Sequence, residues 1–155
     1  MHSQPWRLIV IVNLPQPFMT LTQTHSNSTQ VSALQAEPLV ERYFTSFNAG
    51  DFDATAALFA ADGTLNPPFE SPIVGNAAIA RYLKAEAEGM QAYPESLEVE
   101  KLDAGCRRVV VKGRVKAIVF KVNVAWIFEI NENEQIYFVR VKLLASMQEL
   151  LTLRS

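Results

Sequence analysis

The spacing of hydrophobic positions changes once along the chain, and the change divides it in two. From Pro38 to Asn48, apolar residues recur at intervals of three and four, at Leu39, Val40, Tyr43, Phe44 and Phe47. That is the stripe of an amphipathic helix. Gly50 stands just past its end, where a left-handed residue closes a helix. Asp51 is placed to cap a short second helix over Asp53–Phe59. Asp62-Gly63 reads as a turn, and Pro67, Pro68 and Pro72 make Leu65–Ile73 extended or looped. Asn76 is placed to cap a third helix that runs to Glu88, with Ile79, Tyr82 and Leu83 on one stripe, and Gly89 ends it.

Beyond Gly89 the period falls to two. Leu97–Leu102 alternates apolar and charged residues, and Asp103-Ala104-Gly105 makes a hairpin-like turn. Val109–Phe120, Val122–Ile130 and Ile136–Leu144 are β-rich runs, with Asn131–Glu134 turning between the last two. Alternation puts Val109, Val111 and Val115 on one face and Lys112, Arg114 and Lys116 on the other. Val124, Trp126, Phe128 and Ile130 share a face. So do Tyr137, Val139, Val141 and Leu143, with Phe138, Arg140 and Lys142 opposite. A split of this kind is what a sheet covering a core on one side requires. Ser146 and Glu149 form a capping box for a final helix, Met147–Leu153. Three helices, about four antiparallel strands and a terminal helix make an α+β fold. A curved sheet wrapped on those helices is a cone with an apolar mouth, and the surplus of large inward residues is compatible with a cavity.

Composition narrows the function. The 155 residues suffice for one domain with a core. The formal net charge is −2, which gives no general pull toward nucleic acid or anionic lipid. The basic strand faces carry no aromatic platform other than Phe138, so nucleic-acid binding is not expected. Cys106 is the single cysteine, which excludes an internal disulfide. His2 and His25 both precede residue 31, so the body lacks the commonest metal ligand and general base. No metal is expected. In residues 1–30, the apolar run Leu8–Leu14 is too short to cross a bilayer and makes a poor signal peptide. Thr20–Gln30 is polar and expected to be disordered. Either residues 1–18 come from an upstream start, with Met19 the initiator, or residues 1–30 are a flexible tail. The folded domain is expected over 31–155.

Three blocks carry a family resemblance. YFTSFNAGDFDATAALFAADGTLNPPFESPIVG (Tyr43–Gly75) contains Pro67, Pro68, Phe69, Pro72, Ile73 and Gly75 in a PPF-x-x-PI-x-G pattern. VNVAWIFEIN covers Val122–Asn131, and VRVKLLASMQELLTLR covers Val139–Arg154. In order and spacing they resemble the C-terminal domain of the orange carotenoid protein, over roughly residues 38–155. The resemblance implies a nuclear transport factor 2-like cone: a curved antiparallel sheet packed on N-terminal helices, with a short C-terminal helix. It is similar to the free-standing homologues of that domain found in cyanobacteria.

The resemblance also implies a ligand. A Tyr hydroxyl and a Trp indole N–H donate to the keto oxygen of a keto-carotenoid of the canthaxanthin or echinenone type, and by motif these are Tyr43 and Trp126. Met90, Phe120, Val124, Phe128 and Val141 are candidate tunnel lining, although core packing explains them equally well. The implied partners are a second copy of the chain, as a homodimer around one carotenoid, and helical carotenoid proteins that exchange pigment with it. Transient membrane contact during pigment uptake is also implied. So are singlet-oxygen quenching, photoprotection and a cytoplasmic location near thylakoid membranes. Cys106 is expected to be an exposed, redox-sensitive dimer contact, its thiolate favoured by Arg107 and Arg108. Glu86 matches a glutamate that pairs with the helical domain in the fused protein. Here it reads as a solvated helix residue or part of a docking surface. One departure stands out. The family's Pro-Trp-Phe and Gly-rich loop is replaced by Ile118-Val119-Phe120 and Lys121, which removes a tryptophan wall and opens the mouth.

Two other functions compete. The same fold resembles ketosteroid isomerases and related hydrolases, with Asp51, Asp53, Asp62, Glu86 and Glu129 as carboxylate candidates. None is convincingly placed, and no enzyme is expected. The other is a non-enzymatic interaction module of the same fold.

Overall fold

The computed structural model describes residues 33–144. Residues 1–32 and 145–155 lie outside it, and with them the expected N-terminal tail and the helix Met147–Leu153. Helix α1 (Pro38–Asn48) buries Leu39, Val40, Tyr43, Phe44 and Phe47 as its spacing requires. Pro38 opens it, where its missing N–H costs nothing. Helix α2 (Phe52–Ala57) follows Asp51, whose side chain accepts from the Ala54 N–H. Helix α3 spans Asn76–Glu86. Asn76 does not cap it: Gly75 takes that place at φ +95°, and the Asn76 amide donates to the Ala56 and Phe59 carbonyls.

The strands are β1 (Phe59–Asn66), β2 (Ile73–Val74), β3 (Gln91–Lys101), β4 (Arg107–Lys116), β5 (Lys121–Ile130) and β6 (Ile136–Leu144). They form a six-stranded sheet in the order β2-β1-β6-β5-β4-β3. The four expected antiparallel strands are β3 to β6. The sequence did not signal β1 and β2, and β1 runs parallel to β6. Asp62-Gly63 is therefore not a turn. It lies inside β1, where the β1–β6 register shifts between Phe59 and Thr64. A side chain at Gly63 would stand 2.9 Å from the Ile136 carbonyl, so glycine marks a close backbone approach there.

Tyr137 also departs from its expected face. The β5–β6 register shifts beside Ile130 and Ile136, so Ile136 and Val139 are both buried while Tyr137 is half-buried. An irregularity that adds one residue reverses alternation locally. Tyr137 then shares surroundings with Glu129: burial first, then the Glu129 charge and hydrogen bond, raise its pKa.

Asn48 fixes α1 to the edge strand. Its amide donates to the Ala92 carbonyl at 2.9 Å, its side-chain oxygen accepts from the Ala92 N–H at 2.7 Å, and Gln91 donates to its backbone carbonyl. Removing the amide leaves both groups of buried Ala92 without these partners. Asn48→Ala is expected to cost about 2 kcal/mol in a denaturant titration. A loss within about 0.5 kcal/mol would show that the clamp adds nothing.

Candidate functional site

Tyr43 and Trp126 come from different layers and meet in one aromatic cluster. Tyr43 lies on the inner face of α1, and Trp126 on the inner face of β5 between Val111 and Val141. Exposure is 2% for Tyr43 and 3% for Trp126. Phe44 sits edge-on to Trp126 at 4.8 Å between ring centroids, and edge-on to Tyr43 at 5.4 Å. Phe128 meets Tyr43 edge-on at 5.0 Å and Phe44 at 5.9 Å. Edge-to-face contacts of this kind hold ring orientation as well as burying area. Phe47 and Phe59 complete the surroundings of Tyr43.

Burial raises the Tyr43 pKa well above the ordinary phenol value, so its hydroxyl stays a proton donor. Each of the two buried side chains carries one proton donor, the Tyr43 hydroxyl and the Trp126 indole N–H. The site thus carries two donors in an apolar, aromatic setting. That chemistry fits a weak apolar-borne acceptor such as a ring ketone.

The candidate lining residues divide. Val124, Phe128 and Val141 are buried on the inner face of β5 and β6. Met90 is buried just before β3. Phe120 is half-buried, where the β4–β5 hairpin turns. The α1 spacing assigned Phe44 to the core, but nothing in the sequence singled it out as the ring between Tyr43 and Trp126. Phe59 was read as a helix end and is the first residue of β1.

Cys106 is half-buried rather than exposed. The two arginines beside it are committed elsewhere. Arg107 binds Glu37 at 2.9 Å and Glu134 at 2.7 Å. Arg108 binds Glu100 at 3.0 Å and Glu129 at 2.8 Å. Four carboxylates neutralise the cations that were expected to favour a thiolate. Arg107 in turn holds the Glu134 carboxyl below its usual range.

The carboxylates of the enzyme alternative are scattered. Asp51 caps α2, Asp53 pairs with Lys84 at 2.9 Å, Asp62 is exposed, and Glu129 pairs with Arg108 on the outer face. Glu86 differs from expectation. It is 5% exposed, buried on the stripe of α3 with Ile79, Ala80 and Leu83, and is not a solvated residue. Among the described residues, no group of His, Cys, Asp and Glu is arranged to hold a metal. No helix among them is long and apolar enough to cross a membrane.

A SnoaL-like domain model matches residues 40–139. The chain belongs to the SnoaL-like domain family. Its α+β layout, with a curved sheet on helices, is the nuclear transport factor 2-like fold. Within that fold its homology is to the C-terminal region of orange carotenoid proteins. The orange carotenoid-binding protein of Limnospira maxima is 38% identical over 118 residues, which covers 74% of this chain and 37% of that protein. The structure of the orange carotenoid protein of Anabaena (Nostoc), binding canthaxanthin, matches with a TM-score of 0.69 at 40% identity. The match covers 75% of this chain and 38% of that one. The chain thus spans little more than a third of the length of these relatives. A ketosteroid isomerase-like protein from Erwinia carotovora atroseptica matches with a TM-score of 0.60 at 20% identity, covering 71% of this chain and 94% of that one. That likeness concerns the fold alone. A shared fold does not fix activity, and the site must decide.

Proposed function

We propose that this SnoaL-like domain binds a keto-carotenoid of the canthaxanthin or echinenone type and catalyses no reaction. The observation that carries the reading is the joining of Tyr43 and Trp126, both buried donors, through Phe44 and Phe128, in a chain homologous to carotenoid-binding proteins. Tyr43 and Trp126 donate to one ketone. Val124, Phe128, Val141, Met90 and Phe120 supply apolar wall. Water exclusion provides most of the affinity, and the two donors set the end and register of the rod. The carotenoid itself supplies visible absorption and the capacity to quench singlet oxygen.

The same reading makes the chain a carrier. Two copies enclose one carotenoid, exchange it with helical carotenoid proteins, and take it up during transient membrane contact. Residues 31–155 form the pigment-binding unit, and its place is the cytoplasm near thylakoid membranes. Cys106 contributes at the contact between copies. Scattered, paired carboxylates favour this reading over an isomerase. An interaction module without ligand remains the outcome if no pigment binds.

The test is purification of the full chain from cells that make canthaxanthin, followed by an absorption spectrum and a measurement of size. A carotenoid band shifted to the red of free pigment, travelling with a dimer, supports the reading. Colourless folded protein from pigmented cells overturns it.

A further inference from the structure

The β4–β5 hairpin is built against the usual rules. It reads Lys116-Ala117-Ile118-Val119-Phe120-Lys121, and the Ala117 N–H donates to the Phe120 carbonyl at 2.8 Å across a two-residue tip. Such tips favour Asn and Gly, which accept positive φ. Ile118 and Val119 are β-branched, and neither is among the described residues with positive φ. Neither is buried in return: Ile118 is 76% exposed and Val119 83%. At the neck, Lys116 stands directly opposite Lys121. Like charges in that position destabilise a hairpin. The tip thus pairs apolar exposure with a cationic collar, and folding explains neither.

The outer face of the sheet continues the collar. Lys112, Ala125 and Lys142 lie in one row across β4, β5 and β6, and Arg140 lies opposite Ile127 in the next. Lys112, Lys116, Lys121, Arg140 and Lys142 are all exposed, and none has an ion-pair partner among the described residues. Arg114, on the same face, pairs with Glu95. The acidic residues of this face, Glu98, Glu100 and Glu129, lie in its Val110 and Arg108 rows, so the unpaired cations are concentrated toward the hairpin end. Phe69, 78% exposed, stands in the loop after β1, at the sheet end where β6 runs on toward Leu144 and the hairpin neck.

We propose that the β4–β5 hairpin tip and the basic outer face together dock on an anionic phospholipid bilayer. Ile118 and Val119 enter the boundary between headgroups and acyl chains, while Lys116, Lys121, Lys112, Arg140 and Lys142 meet phosphate groups. Both costs of the hairpin disappear there: the tip leaves water, and the opposed lysines gain anions between them. A second copy of this face would bring like charges together. A nucleic acid would use the lysine rows and leave Ile118 and Val119 in water. The inference deepens the carrier reading by naming the surface and the lipid charge it requires. Its test uses no pigment, so each can fail without the other.

The test is co-sedimentation of the full, pigment-free chain with vesicles at low salt. The vesicles are either phosphatidylcholine alone or phosphatidylcholine with about one third phosphatidylglycerol. Partitioning onto the anionic vesicles is expected to be at least about tenfold stronger and to fall steeply with added salt. A Lys116→Glu/Lys121→Glu variant and an Ile118→Ser/Val119→Ser variant are each expected to lose about tenfold, with unchanged melting temperatures, because all four residues are exposed. Equal partitioning onto the two vesicles overturns the proposal. So does wild-type partitioning by the serine variant, or equal binding of a short DNA duplex by the wild type and that variant.

Discussion

With Tyr43 and Trp126 both replaced by phenylalanine, the chain made in canthaxanthin-producing cells is expected to lose most of its pigment, and any that remains to absorb further to the blue. Each donor contributes about 1 kcal/mol net as a hydrogen bond, and somewhat more in a dry site. Losing both costs about 2–3 kcal/mol, or roughly 30- to 150-fold in affinity. Donation to the ketone also draws electron density from the conjugated chain, so its removal shortens the absorption wavelength. Tyr43→Phe alone separates chemistry from packing. It deletes one oxygen and leaves the edge contacts with Phe44 and Phe128 in place. That single change should shift the band with little effect on the melting temperature. Trp126→Phe also reduces the contact with Phe44, so part of its effect is mechanical. Unchanged pigment content and spectrum in the double variant would remove Tyr43 and Trp126 from the site.

Where one physical rule governed a segment, the sequence revealed the structure. The α1 stripe buried the five residues its spacing named, because an apolar helix face has one core to meet. The inner face of β5 did the same at Val124, Trp126, Phe128 and Ile130. The misreadings occurred where long-range contacts overrode local chemistry. Asp62-Gly63 looks like a turn to its neighbours in the chain. It is a strand because β6, more than seventy residues later, lies beside it and leaves no room for a side chain at Gly63. Tyr137 follows period two only until a register shift intervenes. Asn76 has the composition of a cap but serves two carbonyls from the preceding segment. Glu86 reads as solvated because glutamate usually is, although its spacing from Ile79 and Leu83 puts it on the buried stripe. For the site, Tyr43 and Trp126 were legible only through family motifs. Taken singly, each is an aromatic residue on an apolar face. Their connection through Phe44 depends on how α1 crosses β5, which no local pattern encodes. The arginines beside Cys106 were legible as charges, but not their carboxylate partners, which come from Glu37, Glu100, Glu129 and Glu134.

Gly113→Ala is expected to destabilise the domain by about 3 kcal/mol or more, enough to lower the thermal midpoint by more than about 10 °C. Gly113 lies in the middle of β4, paired with Pro94 on one side and Val124 on the other. Pro94 has no N–H to donate, and the β3–β4 register shifts between Pro94 and Ser96. At this irregularity the edge strand folds closely over β4. A Cβ on Gly113 would collide with the Tyr93 carbonyl oxygen and would stand 2.9 Å from the Pro94 Cα and 3.0 Å from the Tyr93 carbonyl carbon. All three atoms are backbone, so no side-chain rotation relieves the clash, and β3 must shift as a unit. Val124 pairs directly with Gly113, which couples the strain to the candidate ligand wall. Pigment content should therefore fall along with stability. Lys112→Ala, one residue away and exposed, is the matched control and should change stability by no more than about 0.5 kcal/mol. A Gly113→Ala protein as stable as that control would mean that β3 does not approach β4 so closely at Pro94. The glycine would then be a conformational convenience rather than the contact that lets the edge strand bend over the sheet.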